Sequence, residues 1–212
     1  MEILHTFIDL FLHIDHHIAA LINNYGTITY IILFAIIFCE TGLVILPFLP
    51  GDSLLFILGA FAAKGDLNLS LLLVLLSVAA ILGNIVNYAV GRVLAQRILN
   101  QQAIPFIKKK HLEQTASFYA KHGAKTIIIT RFVPIVRTIA PFMAGVGSMP
   151  YRTFINYNII GGLLWVVVGT VSGFLFGNLP WVSKNFSIVV VGIVALSLVP
   201  VVLEFLKHNK DS

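Results

Sequence analysis

Four ionisable side chains lie within two apolar segments of the sequence, where their charges need partners. Glu40 and Asp52 belong to the first segment, and Arg131 and Arg137 belong to the second. If these segments enter a lipid bilayer, a lone charge at its centre costs ~2.5–3.5 kcal/mol, and four cost on the order of 10 kcal/mol. That cost falls only where charges pair or face water. The residue types therefore predict one buried polar site.

The two arginines indicate an anion-binding site, and phosphate suits them well. A guanidinium presents planar donors that match phosphate oxygens, and it stays charged at physiological pH. Arg131 and Arg137 lie six residues apart with Pro134 between them, so one broken segment would clamp one anion. Glu40 and Asp52 are titratable and are candidates for proton coupling or gating. A structural role, in which the four charges form ion pairs that join the segments, stays open.

The composition places these segments in a membrane protein. Of 212 residues, 58% are hydrophobic and 11% are charged, with a mean hydropathy of +0.94. A soluble domain carries about 25% charged residues, so this chain has too few to cover a solvated surface. We expect one membrane domain over residues 1–212. No cleavable signal peptide is expected, because the first 24 residues contain no Lys or Arg.

The sequence contains no motif that indicates a nucleotide-binding protein, an enzyme or a metal-binding protein. Walker, G-x-G-x-x-G and metal-ligand spacings do not occur, so we expect no enzyme activity, no cofactor and no bound metal. A β-barrel has no support. Cys39 is the single cysteine, which excludes an internal disulfide, and we interpret it as a small apolar residue.

Basic residues concentrate in one part of the chain. Half of the 14 Lys and Arg residues fall there: Arg92, Arg97, Lys108, Lys109, Lys110, Lys121 and Lys125. Short cytoplasmic loops collect such residues, which explains the stretch better than nucleic-acid binding does. We therefore predict that the basic 92–125 loop and the C-terminus lie on the cytoplasmic side of the membrane.

Apolar periodicity and helix breakers divide the chain into an all-α series of elements. The predicted elements are an interfacial amphipathic helix at 3–22, spanning helices at 25–43, 69–99, 153–179 and 186–206, re-entrant hairpins at 44–63 and 126–149, and a basic loop with a short amphipathic helix at 100–122. Helix breakers shape the hairpins: Pro47, Pro50 and Gly51 in the first, and Pro134, Pro141 and Gly145 in the second. Backbone groups that prolines free must be buried in protein or line a cavity.

The charge bias gives the two hairpins opposite orientations. The first enters from outside and the second from the cytoplasm, and each precedes a long spanning helix, which predicts an inverted repeat. The hairpins would then meet near the midplane with their charges together. Asn84, Asn87 and Tyr88 give the helix at 69–99 a polar stripe, and Asn84 and Tyr88 are predicted to support this site. The histidines of 3–22 fit a wet helix face, although a pH-sensing role stays open.

The same residues carry a family resemblance over nearly the whole chain. The matching motifs are Glu40-Thr-Gly, Pro50-Gly51-Asp52, Gly83 with Tyr88 and Gly91-Arg92, His122-Gly123, Arg131-Phe-x-Pro134-x-x-Arg137, and Pro141-x-x-Ala144-Gly145. Together they resemble the DedA family of bacterial inner-membrane proteins, also called SNARE-associated or VTT-domain proteins.

The resemblance implies a function that spacing alone does not give. Members of the family are thought to translocate the polyprenyl phosphate carrier lipid undecaprenyl phosphate for envelope synthesis, and the family is linked to membrane potential and pH homeostasis. The family's functional acids match Glu40 and Asp52, and its functional arginines match Arg131 and Arg137. Asn84 departs from the pattern, because family members often carry Asp there, so a proton relay through that position is absent.

Three function classes remain at this point. The first is a carrier-lipid flippase linked to the proton motive force, with passive phospholipid scrambling as a close variant. The second is a proton-coupled small-cation antiporter, in which Glu40 and Asp52 bind the cation. The third is a membrane factor that scaffolds other proteins. The expected partners are membrane lipid and protons, with no nucleic acid, and the chain is a monomer or a homodimer.

Overall fold

The computed structural model describes residues 14–43, 51–99, 119 and 123–177, and the isolated positions 179, 180, 182, 189 and 192. Within these residues every regular element is helical, which confirms the all-α expectation. The elements are α1 (Ile14–Tyr25), α2 (Ile28–Gly42), α3 (Gly51–Lys64), α4 (Leu69–Leu99), α5 (Thr126–Thr130), α6 (Pro134–Val146) and α7 (Tyr151–Phe176). Several predicted features lie wholly or largely outside the described residues: positions 3–13, the tip 44–50, the loop 100–122 and the helix 186–206.

Two helices of the described part of the chain are long and apolar enough to cross a bilayer. They are Leu69–Ala95 of α4, with 27 residues, and α7, with 26 residues, and their most apolar 18-residue windows have mean hydropathies of 2.6 and 2.2. At 1.5 Å per residue each is about 40 Å long, which exceeds the ~30 Å hydrocarbon core. These helices fall within or close to the predicted spans 69–99 and 153–179.

One face of α4 is a continuous exposed apolar ridge. Its members recur every four residues and are 41–64% exposed: Val74, Val78, Leu82, Val86 and Val90. This is the spacing of one helix face. An exposed apolar face of this length is unfavourable in water and favourable in the hydrocarbon core of a bilayer.

The other apolar helices are shorter. α2 has 15 residues, and at 1.5 Å per residue it is about 22 Å long, less than the hydrocarbon core. It begins only at Ile28, since Gly26 ends α1 with φ +51° in the left-handed conformation that favours glycine. A complete crossing by the predicted segment 25–43 therefore stays a prediction. So do the two re-entrant hairpins and the inverted repeat.

The helices are organised in two compact units. The first comprises 1–35, 50–76 and 166–212. In it, α3 packs closely on the second half of α7, because a Cβ added at Gly59 would overlap the Thr170 carbonyl and one at Gly173 would overlap the Phe56 carbonyl. Such small residues let helix backbones approach.

The second unit comprises 36–49 and 77–165, and it contains the end of α2, most of α4, α5, α6 and the first part of α7. Its apolar core consists of Tyr88, Ile127, Ala144, Met149 and Phe154. The α4 and α6 backbones touch, since a Cβ at Gly91 would overlap the Phe142 carbonyl and one at Gly145 the Tyr88 carbonyl. This packing fixes α6, which carries Arg137, against α4.

Candidate functional site

The second unit brings Glu40 and Arg137 together in a buried ion pair. Glu40, in the last turn of α2, is 0% exposed, and Arg137, the fourth residue of α6, is 5% exposed. The guanidinium Nη2 donates to the carboxylate Oε1. An acid near a helix C-terminus and a cation near an N-terminus are both disfavoured by the helix dipole. Each charge therefore depends on the other more than on its own helix.

Trp165 of α7 stacks on the Arg137 guanidinium. The guanidinium carbon lies 4.9 Å from the indole ring centroid, and Trp165 is 3% exposed. A desolvated cation–π contact of this kind contributes about 2 kcal/mol. The stack also restricts the plane of the guanidinium, and hence the direction of its donors.

Arg131 occupies the break between α5 and α6 and is 3% exposed. Its Nη2 donates to the side-chain oxygen of Asn158 and lies 3.4 Å from the backbone carbonyls of Asn158 and Ala80. Among the residues that the structure describes, no acid forms an ion pair with it. Gly162, which lies against the Arg131 guanidinium, and Trp165, which stacks on Arg137, are three residues apart on α7, so the two guanidinium groups share one buried region.

Asn84 completes the neutral shell of Arg131. With its oxygen turned toward the guanidinium, the Asn84 side chain accepts from Nη2 at 2.7 Å and donates to the Thr41 carbonyl at 3.3 Å. Asn158 in turn donates to the Ile81 carbonyl at 3.0 Å. The two amide side chains thus turn their oxygens toward Arg131, while their nitrogens donate to backbone carbonyls that fix their positions.

Two glycines of α7 make room for the Arg131 side chain. A Cβ at Gly161 would lie 3.1 Å from Arg131 Cδ, and one at Gly162 would lie 3.4 Å from Nη2 and 2.8 Å from a side-chain carbon of Ile81. These distances are at or below ordinary van der Waals contact. The small-residue pair of α7 therefore packs within the chain, around an arginine.

Asn87 joins the ends of the two helices that carry the ion pair. Its side-chain nitrogen donates to the Thr41 carbonyl at 3.2 Å and to the Thr138 carbonyl at 2.7 Å. Thr41 lies in the last turn of α2, where carbonyls lack helical partners. Thr138 lies beside the ladder position that Pro141 interrupts, because proline has no amide hydrogen to donate. Asn87 thus satisfies backbone groups in apolar surroundings, where unpaired groups are costly.

Tyr88 and Tyr119 lie near the site, and their hydroxyl groups donate to backbone carbonyls. Tyr88, predicted as a supporting polar residue, donates to the Met149 carbonyl at 2.5 Å and accepts from Arg92 at 3.2 Å. Tyr119 donates to the Ala140 carbonyl at 2.7 Å. Burial raises the pKa of the Tyr119 phenol, so this group stays a donor through the physiological range.

Asp52 lies in the first compact unit, whereas the other three predicted charges lie in the second. It is the second residue of α3 and is partly exposed. A carboxylate in the first turn is favoured by the helix dipole. Its predicted part in proton coupling stays a prediction.

The predicted hairpin-shaping residues have different positions. Pro47 and Pro50 lie outside the described residues, and Gly51 begins α3. Pro134 begins α6 after a non-helical segment, and Pro141 lies inside α6; their role in shaping a hairpin stays a prediction. Gly145 shapes the site by packing on α4, as described above.

Asn158, Asn87 and Trp165 contribute to the site but were not among its predicted residues, although Asn87 belongs to the predicted polar stripe. A signal was present, because two of the three are amides inside long apolar helices. A buried amide requires partners. Helical periodicity alone did not show which of the several amides face the arginines.

Comparison with known proteins gives a consistent family match. The VTT domain family matches residues 49–175. Protein DedA of Escherichia coli K12 is 49% identical over 212 residues, covering 99% of this chain and 97% of that protein. An uncharacterised membrane protein of Mycobacterium leprae is 38% identical over 79% of this chain and 75% of its own length. Inner membrane protein YghB of E. coli K12 is 34% identical over 81% of this chain and 78% of its own length.

No solved structure matches the chain. The relatives are named as membrane proteins, and two helices of this chain are long and apolar enough to span. Arg131 and Arg137 lie within the matched residues 49–175, and Glu40 lies shortly before them. This chain therefore belongs to the DedA family of VTT-domain membrane proteins.

Proposed function

We propose that this protein is a transporter, not an enzyme, that moves the carrier lipid undecaprenyl phosphate across the bacterial inner membrane for envelope synthesis. The observation that carries the proposal is the buried group formed by Arg131, Arg137 and Glu40. Two guanidinium groups and one carboxylate leave an excess of one positive charge in this group. Arginines in a dry site are well suited to a phosphate headgroup.

The same excess charge argues against a small-cation antiporter. A bound metal cation would lie beside two buried guanidinium charges. Like charges in a medium of low dielectric constant repel strongly. An anion reverses that sign and stabilises both arginines.

Glu40 provides a route for exchange. The phosphate headgroup competes with the Glu40 carboxylate for Arg137, and protonation of Glu40 releases the arginine to the headgroup. This exchange would link transport to the proton motive force, with Asp52 as the second titratable group. The polyprenyl tail stays in lipid, beside exposed apolar faces such as that of α4.

The proposed topology follows from the charge bias. The two hairpins enter from opposite faces, and the 92–125 loop and the C-terminus face the cytoplasm. In this arrangement the headgroup crosses near the midplane while the tail slides through the surrounding lipid.

The proposal is tested with purified protein in liposomes that contain undecaprenyl phosphate, by following the headgroup that becomes accessible to a phosphatase added outside. We expect Arg131→Ala and Arg137→Ala to slow transport about tenfold or more, as loss of charge-assisted hydrogen bonds does. Arg152→Ala is the matched control, because Arg152 is an exposed arginine at the start of α7. Full transport by folded Arg131→Ala and Arg137→Ala proteins would refute the clamp.

Two further arms separate the alternatives. A pH gradient should accelerate transport if it is driven, whereas a rate independent of the gradient assigns passive scrambling. Proton flux driven by Na⁺ or K⁺ gradients in vesicles without carrier lipid would instead establish a cation antiporter and overturn the proposal.

A further inference from the structure

The two arginines of the site are held by groups of different charge. Arg137 is paired with the carboxylate of Glu40. Arg131 is held by the amide oxygen of Asn158, by backbone carbonyls and, with the Asn84 amide turned toward the guanidinium, by the oxygen of Asn84; all of these acceptors are neutral. A neutral acceptor leaves the cationic charge of Arg131 uncompensated.

The Arg131 guanidinium also keeps an unused donor. Its Nε is buried and has no hydrogen-bond partner among the described residues, although the residue is only 3% exposed. A buried donor without a partner is unfavourable. An oxygen-rich anion would satisfy this donor and the charge together.

We infer that Asn158 and Asn84 are positioning residues that keep Arg131 an uncompensated cation, so that the site selects a phosphate headgroup with net negative charge over a zwitterionic one. This inference rests on the proposed function. A phosphate oxygen carries a negative charge that a neutral amide oxygen lacks, so it adds a Coulomb attraction to Arg131 that is strong in a buried site of low dielectric constant. A zwitterionic headgroup brings its own cation close to two arginines and loses that advantage.

Asn158→Asp tests the inference because aspartate has nearly the shape of asparagine, keeps the oxygen that Arg131 contacts and adds a negative charge. It also loses the donor to the Ile81 carbonyl, which a second variant controls for. The added carboxylate pairs with Arg131 and removes its excess charge. Asn156→Asp is the matched control, since Asn156 lies two residues away on the same helix and is exposed.

Binding is measured by titration calorimetry on the full-length protein in an uncharged maltoside detergent. The probes are decyl phosphate, decylphosphocholine and inorganic phosphate. We expect the wild type and Asn156→Asp to bind decyl phosphate about ten- to hundredfold more tightly than decylphosphocholine, and Asn158→Asp to lose that preference. Equal affinity of the wild type for the two lipids, or an unchanged preference in Asn158→Asp, overturns the inference.

A second variant guards against local misfolding. Asn158→Asp loses the donor to the Ile81 carbonyl, whereas Asn84→Asp loses a different donor, to the Thr41 carbonyl. A loss of preference in both variants therefore follows from the added charge. If Asn84→Asp unfolds at the wild-type temperature and keeps the preference, the role of Asn84 is refuted.

The remaining outcomes separate this inference from the proposed function. Wild-type transport of undecaprenyl phosphate, combined with an unchanged preference in Asn158→Asp, defeats the inference alone. Absence of both transport and decyl phosphate binding defeats the proposed function. Inorganic phosphate that binds as tightly as decyl phosphate would assign the site to the free anion and overturn headgroup selection.

Discussion

Removing one member of the Glu40–Arg137 pair should be more harmful than replacing both. Glu40 is 0% exposed and Arg137 is 5% exposed, so either charge left alone has little water to solvate it. Breaking a buried pair on one side costs about 3–5 kcal/mol, whereas replacing both partners with neutral residues of similar volume is often nearly neutral. For Arg137→Met, about 2 kcal/mol of that cost comes from losing the Trp165 stack.

The assay is a double-mutant cycle on Glu40→Gln, Arg137→Met and the combined variant, followed by reversible unfolding in mixed detergent. We expect the combined variant to lie within about 2 kcal/mol of the wild type, the size of the lost cation–π contact, and above both single variants. Arg152→Ala should stay within about 0.5 kcal/mol as an exposed control. If the two single costs simply add, the charges do not depend on each other and the reasoning from burial is wrong.

Three further predictions concern the packing that supports the site. Ser148 has φ +56°, so Ser148→Gly should raise the free energy of unfolding by roughly 0.5–1 kcal/mol, and no gain in melting temperature would contradict this. Gly91→Ala should cost more than about 2 kcal/mol, because its Cβ enters the α6 backbone, whereas Gly192→Ala, whose Cβ meets no described atom within 4 Å, should be nearly silent in the same melting assay. Asn87→Leu should cost about 1–3 kcal/mol for the two buried hydrogen bonds that it removes, and the exposed Asn156→Leu should not; equal costs would remove the bridging role of Asn87.

The charged residues and the chain breaks could be predicted from the sequence, because both depend on local chemistry. Arg131 and Arg137 were costly in any apolar setting, and Pro134 could only begin or break a helix. The pairing of the charges was not predictable in the same way. Glu40 contacts Arg137 across 97 residues of sequence, and only the packing of α2 and α6 decides that contact.

The neutral residues of the site were harder to identify. Asn158 and Asn87 look alike in sequence to the exposed Asn156, since each is an amide in an apolar helix. Their roles depend on helix rotation, which the apolar pattern of α4 and α7 leaves loosely defined because both helices are apolar on nearly every face. Trp165 gave no polar signal at all, and only its place above a guanidinium shows its contribution.

The Asn87 side chain has a mechanical consequence. One amide nitrogen ties the end of α2 to Thr138 of α6, in buried surroundings where either lost hydrogen bond would be costly. Loss of either bond removes this link between the helix ends that bear Glu40 and Arg137. We expect motion between α5 and α6 to concentrate at the non-helical residues 131–133, where Arg131 lies, while Arg137 moves together with the end of α2.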